Sequence, residues 1–541
     1  MKRTKRILAL ALATLCVGSA FGVLGSCTKE EIEIDETKTQ LYIGNYKGGM
    51  GDRWMKAYIK GFEEKYKDTS FEAGKTGVQV IDVPDQLSYT SETIYNSIEE
   101  SEFNIYLSEM MNYYKFAKSG LLYDMTDIVK ETLPGESKTI ESKLTDAQKE
   151  YFQYNGKYFA LPHYRAYSGL IYDIDLFNEK RLYIKADGTI NGQSTDSDLS
   201  FGPNGVKGGG DDGLPATYEE FFEWCDYVST SKNVIPICLA GAYKANYTDF
   251  FVNDLFVDAQ GATGAKLKYS MPEQAVTTKV ITGFNGNTPI EAEVAISQSN
   301  YTESAKMSGL YHALSFLERL VDGDYFDSMA FNTTQSHDMA HYDFLQSRFD
   351  PTKKPIAMMI EGTWWEEESN SIFEEMEADY GEEASRAQRN FGLLPLPKVN
   401  ESYLGTQTMY DMHSTLIMIN GNCDEVHANL AKKFVQYITT DEALQLFHTT
   451  TGIGRDYQYD LTETQESSLT SFGNSIYQIQ KTATIVTDDP KNYSEYIWKA
   501  NHTFDLFATS KYNSPVSAFE AKSGPSAKAY FEGIFSNLAG N

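Results

Sequence analysis

His337 and His341 stand four residues apart in the run HDMAH, and on a helix that spacing puts two imidazoles on one face, as zinc proteases do with two of their ligands. That chemistry also needs a glutamate between them as general base, and Asp338 is one methylene shorter. The polar stretch NTTQS precedes the run and no third ligand is recognisable after it, so an exposed helical turn with incidental histidines is expected, with no metal and no cofactor. Carboxylates offer a second chemistry. Glu361 and the run Glu366, Glu367, Glu368 flank Trp364 and Trp365, and acids beside aromatics are what a glycoside hydrolase would use. With 76 acidic residues in the chain, however, any tryptophan has some acid nearby. No GxSxG elbow or Walker A loop is present, so those chemistries have no support.

Capturing a sugar demands less than cleaving one. Its C–H faces want an aromatic plate, and its hydroxyls want paired donors and acceptors on rigid side chains. Trp364 follows the end of an apolar strand and fits the plate, whereas Trp365 can serve the ligand or pack inward. Tyr243 and Tyr247 lie before the apolar pair Phe250 and Phe251. Tyr46 and the turn KGGMG sit where a strand enters a helix, so backbone N–H groups there can meet ligand oxygens. Glu109 and Asn112 follow the strand ending at Leu107, and Asp411 and His413 open a later returning segment. His163, Arg165 and Tyr167 occupy an aromatic and cationic stretch between two apolar runs, where a buried Arg can fork onto two hydroxyls or pair with a carboxylate.

The elements that must position these residues read as α/β. Residues 41–46 form a strand, 47–51 a Gly-rich turn and Asp52 an N-cap. Trp54, Met55, Tyr58, Ile59, Phe62 and Tyr66 then share one helical face. GVQVIDV is the next strand, which makes a βαβ unit and predicts a parallel sheet. Further strands are expected at 103–107, 158–162, 169–172, 354–360 and 410–419, and helices after the Thr217 cap and over 426–447. Residues 187–213 read as a surface insertion. Its spaced acids lack the order of a calcium loop, and its glycines lack dinucleotide-loop spacing.

The N-terminus addresses the chain. Lys2, Arg3, Lys5 and Arg6 precede an apolar run that closes in Leu24, Gly25, Ser26 and Cys27, so residues 1–26 are expected to be a cleaved signal peptide and Cys27 the lipidated first residue of an extracytoplasmic protein. The alternative is an uncleaved membrane anchor. Residues 28–39 are charged and unpatterned, a tether from the lipid. Removing 26 of the 541 residues leaves 515, enough for two or more lobes, and takes the formal charge from −29 to −33. A polyanion would be repelled, so nucleic acid is not an expected partner. Cys225, Cys238 and Cys423 remain, an odd number that implies no disulfide framework. Aromatics make up 13% of the chain, with 37 Tyr against 30 Phe, which suits amphipathic ligands or the outer layer of a large core.

Several segments, in order, resemble the maltose-binding-protein-like solute-binding proteins of carbohydrate ABC transporters (family 1). They are the lipobox, LYIGNYKGGMGDRWMKAYIKGFEEKY, AKSGLLYDMTDIV, NGKYFALPHYRAYSGLIYDIDLF, GLPATYEEFFEWCD, PIAMMIEGTWW, FGLLPLP and AKKFVQYITTDEALQLF. The resemblance implies a two-lobed, periplasmic-binding-protein-like (type II) α/β fold with discontinuous lobes and a hinge. One lobe would span 40–162 plus 405–452 and the other 167–400 plus 455–541, with extra material near 187–213 and 261–302. It implies a monomeric, lipid-anchored receptor without catalytic residues that captures a sugar or oligosaccharide and delivers it to a membrane permease. Trp364 matches the Trp that the family stacks on a pyranose, Tyr243 and Tyr247 resemble its second aromatic contact, and Glu109 and Asn112 lie near its hydroxyl-binding positions. The rival readings are an extracellular carbohydrate-cleaving enzyme and the same fold with a non-sugar solute.

Overall fold

The computed structural model describes residues 33–84, 91–405, 407–412, 415–502 and 505–539. The signal segment, Cys27 and His413 lie outside the described residues. The chain divides after Glu36, and everything below concerns the unit Thr37–Asn541.

That unit is organised on two sheets. The first has the strand order Val78–Pro84, Thr39–Asn45, Ile105–Ser108, Leu416–Ile419, Ala160–Pro162. Its first three strands are parallel, as the opening βαβ pattern requires, and Leu416–Ile419 runs antiparallel between Ile105–Ser108 and Ala160–Pro162. Helix Arg53–Tyr66 covers this sheet with Trp54, Met55, Tyr58 and Phe62, the face read from the 3.6-residue period. The second sheet has the order Ile235–Cys238, Ile356–Gly362, Ser168–Asp173, Phe391–Leu394. All residues of Ser168–Asp173 and Ile356–Gly362 are buried, because helices cover the sheet on both faces.

The lobes are joined where the chain passes from one sheet to the other. Residues 163–167 link Ala160–Pro162 to Ser168–Asp173, and Tyr164 bridges antiparallel to Arg455, so a second crossing lies beside the first. Strand Thr408–Asp411 pairs in parallel with Thr484–Thr487 and not with either main sheet. The single strand expected over 410–419 is therefore two strands, Thr408–Asp411 and Leu416–Ile419. The single helix expected over 426–447 is also two, Glu425–Ile438 and Asp441–Thr451. Thr439 ends the first and Thr440 caps the second, its hydroxyl accepting from Ala443 N at 3.3 Å. Asp52 precedes its helix without capping it, since its carboxylate is taken by Lys56 at 2.8 Å.

The acids of the 187–213 segment serve local turns and ion pairs. Asp187 accepts from Thr189 N at 3.0 Å, and Asp198 pairs with Lys185 at 3.0 Å. The 261–302 region contains an antiparallel hairpin, Val276–Asn285 with Thr288–Ile296, ahead of a 3-10 segment Gln298–Lys306. Cys225, Cys238 and Cys423 are free thiols, and among the described residues no helix is long and apolar enough to cross a membrane.

Candidate ligand-binding site

The two lobes meet at Trp364. The residue sits just past the fully buried strand Ile356–Gly362, which fixes its backbone, and only 9% of it is exposed. A Cβ on Gly362 would overlap the benzo end of the indole, and a Cβ on Gly49 would come within 2.5 Å of its Cδ1. The ring is thus held between its own strand end and the Gly48–Met50 turn of the first lobe, and only glycine lets either backbone approach so closely. Arg53, at the start of the first-lobe helix, reaches across to pair with Glu367 and donates to Thr450 O at 3.0 Å.

Around this ring the structure gathers five of the ten predicted ligand residues. Tyr247 faces both Glu361 and Trp364, and burial, with Glu361 second, pushes its hydroxyl well above the usual phenol range. Tyr243 is 45% exposed and packs edge-on against Tyr247, with ring centroids 6.4 Å apart. Tyr46 and Glu109 come from the first lobe, converging on Gly48, where an added Cβ would lie 2.8 Å from Glu109 Oε1 and 3.3 Å from the Tyr46 ring. Burial, reinforced by Glu368 of the opposite lobe, pushes the Glu109 carboxyl up to about 8.

Three more residues form a separate cluster at the crossings. Arg165 pairs with Asp456 at 2.6 Å. Tyr167 and Asp411 face the same guanidinium, and Asp411 accepts the Ala166 N–H at 3.0 Å. Burial first, and Asp456 second, hold the Asp411 carboxyl well above the usual range. Arg165 and Asp456 also border a cavity of about 590 Å³ between helix Asp146–Phe152 and the segments 262–276 and 485–495, which shares no residue with the Trp364 cluster. His163 lies deeper, its Nδ1 2.8 Å from an Arg455 guanidinium nitrogen, and burial together with Arg455 keeps it neutral.

Two predicted residues have other work. Trp365 is fully buried among Phe344, Phe373, Phe391 and Phe472 in the second-lobe core, so the inward alternative holds. Asn112 caps helix Tyr113–Ala117, accepting from Lys115 N at 3.1 Å, which occupies its side-chain oxygen.

The histidines are not an incidental turn. Helix His337–Gln346 turns His341 inward, where Nε2 lies 3.2 Å from Glu361 Oε1 and Nδ1 lies 3.0 Å from Ser369 Oγ. His337 Nε2 is 3.8 Å from Glu368 Oε1 and its ring packs on Tyr243 at 5.7 Å. Burial pushes Glu361 and Glu368 each up to about 7 and His341 down to about 4. Sequence reasoning missed this assembly because its acids come from a strand end and a helix twenty or more residues downstream of the histidines.

The family model of the bacterial extracellular solute-binding proteins matches residues 100–454, well over half of the chain. The chain belongs to this family. Solved structures share its two-lobed fold. A chitin oligosaccharide binding protein aligns over 93% of this chain and 98% of its own at 14% identity, with a TM-score of 0.53. Maltose-bound MalE3 of T. maritima aligns over 93% and 99% at 13% identity, with a TM-score of 0.53. RafE of Streptococcus pneumoniae aligns over 94% and 98% at 13% identity, with a TM-score of 0.52. No curated protein sequence matches the chain. As an extracellular solute-binding protein it works outside the cytoplasm, and its two sheets are the cores of its two lobes.

Proposed function

We propose that this solute-binding protein takes a sugar or oligosaccharide between its lobes, with Trp364 as the stacking plate, and delivers it to the membrane permease of an ABC transporter. The observation that carries this reading is the place of the indole. It lies where the lobes touch, beside Tyr243 and Tyr247 of one lobe and Tyr46 and Glu109 of the other. A ligand that displaces the Gly48–Met50 turn from the ring meets an aromatic face together with tyrosine hydroxyls and carboxylates, the combination a pyranose requires. Because the residues come from both lobes, binding energy is released only when they close, which is what couples capture to a change of shape.

The structural relatives carry chitin oligosaccharide, maltose and raffinose in their names, and these define the first ligand panel. The same reading keeps Cys27 as a lipid anchor, the chain as a monomer and the lobes as 40–162 plus 405–452 and 167–400 plus 455–541. Asp411, Arg165 and Tyr167 then act as the hinge set rather than as direct contacts.

The test is a thermal-shift screen with that panel, followed by titration of the best sugar, because a ligand selective for the folded state raises the melting temperature. Trp364→Ala should weaken binding by more than about tenfold, or about 1.4 kcal/mol, while the ligand-free melting temperature stays in place. Loss of folding would assign Trp364 to the core instead. Release of reducing ends that vanishes in Glu361→Gln would replace the receptor reading with the hydrolase one.

A further inference from the structure

Two helix-borne histidines, the buried Glu361 and the half-buried Glu368 converge beneath Trp364, with no lysine or arginine paired to either glutamate among the described residues. The ligand atoms of His341, Glu361 and Glu368 all lie within 4.8 Å of one another. His337 Nε2 stands 3.8 Å from Glu368 Oε1. Four ligands around a tetrahedral zinc ion at about 2.0–2.2 Å are separated by roughly 3.3–3.5 Å, so modest rotamer adjustment brings this set to bonding distance. We propose that His337, His341, Glu361 and Glu368 form a binding site for a divalent transition-metal ion, with zinc the best match.

The scaffold is rigid where a metal needs it. The histidines occupy i and i+4 of helix His337–Gln346, Glu361 ends the buried strand Ile356–Gly362, and Glu368 belongs to helix Trp365–Glu368. Supporting contacts orient each inner ligand, as metal sites require. Gly362 N donates to Glu361 Oε2 at 2.6 Å, and the Tyr247 side chain faces the same carboxyl. Ser369 Oγ lies 3.0 Å from His341 Nδ1, and a hydroxyl can either donate or accept. Ser369 therefore permits the tautomer that leaves His341 Nε2 with its lone pair free for an ion.

Unmet bonding points the same way. Glu368 Oε2 is buried and has no hydrogen-bond partner among the described residues. Its two neighbours on the same short helix are served differently, Glu366 by Arg386 at 3.1 Å and Glu367 by Arg386 at 2.8 Å as well as by Arg53. Burying a carboxylate pair without a cation is costly, and a bound dication removes that cost. Nitrogen and oxygen donors in equal number suit zinc or a similar first-row ion. Calcium and magnesium take oxygen ligands, and two imidazoles argue against them. The ion would rest in the second lobe whether or not a sugar is present, so this inference does not depend on the proposed ligand.

The experiment is calorimetric titration of ZnCl2 into the EDTA-stripped, buffer-exchanged full chain. The expected result is one zinc per chain, with Co2+ in its place giving the visible absorption of a tetrahedral nitrogen and oxygen site. Glu368→Gln keeps the side-chain shape and His341→Ala removes a ligand. Each should weaken zinc by more than about tenfold. Both are checked by circular dichroism and melting in EDTA, so that a fold defect in His341→Ala leaves Glu368→Gln to decide. His427→Ala, at a half-buried histidine paired with Asp424 on the first lobe, should leave the affinity unchanged. Absence of stoichiometric zinc, zinc binding indifferent to Glu368→Gln, or equal binding of Ca2+ would overturn the site.

Discussion

At the hinge, Arg165 meets Asp456 at 2.6 Å, with Asp411 facing the same guanidinium. On the wall beneath Trp364, Glu361 and Glu368 approach each other with only histidines for ion partners among the described residues. Both regions bury charge, yet one is internally balanced and the other is not. A balanced set keeps its geometry through opening and closing, which is what a pivot needs. An unbalanced set draws its stability from something that arrives, and that is the expected condition of a surface built to receive a ligand or an ion.

The largest effect expected from breaking this contrast is at the pivot. Asp456→Ala leaves the half-buried Arg165 with Asp411 alone, and breaking such a pair costs up to about 3 kcal/mol. Equilibrium urea denaturation should show that loss, and a change within about 0.5 kcal/mol would mean that the pair is not structural. Gly49→Ala comes next. Its methyl would drive into Trp364, and overpacking of that kind costs the lobe-closed state about 1–3 kcal/mol. Small-angle scattering should then report a larger radius of gyration with unchanged melting behaviour, whereas an unchanged radius would show that the turn yields.

The smallest effect is the pH dependence of closure, measured in EDTA by the same scattering. Below pH 4.5 the Glu109 carboxyl is protonated in both states, and between 4.5 and about 8 the closed state holds a proton that the open, hydrated state releases. Rising pH across that window therefore favours opening, and above it the full penalty for closing is in place. Glu368 faces Glu109, and Glu361 and His341 lie behind it with shifted carboxyl and imidazole groups of their own, so Glu109→Gln should flatten the curve only in part. An upward trend of closure with pH would reverse the assignment.

Much of the fold was legible because its signals are local. The βαβ opening, the KGGMG turn and the apolar strand before Trp364 each declare themselves within a dozen residues. The break in the 425–451 helix was legible in principle, since Thr440 followed by Asp441 and Glu442 is an N-cap with an acidic first turn. The division of labour between Trp364 and Trp365 was not. Two neighbours on a turning backbone point in different directions, and only the placement of the Phe344 and Phe391 cluster decides which one enters the core. The same holds for Glu366, Glu367 and Glu368. Three consecutive identical letters meet an arginine, two arginines and a pair of histidines, and Arg386 lies in a stretch without periodicity. Pairings set by distant chain segments leave no mark on the letters themselves.

The Gly49 backbone against the Trp364 ring has one more consequence. With Trp364 as the plate proposed above, jaws that rest shut without cargo put the protein's own turn on the stacking surface, so an incoming solute contends with an internal rival for one ring face. Observed affinity is then the intrinsic affinity discounted by how often that rival is seated, and residues of the turn that never touch the cargo can set how hungry the receptor is.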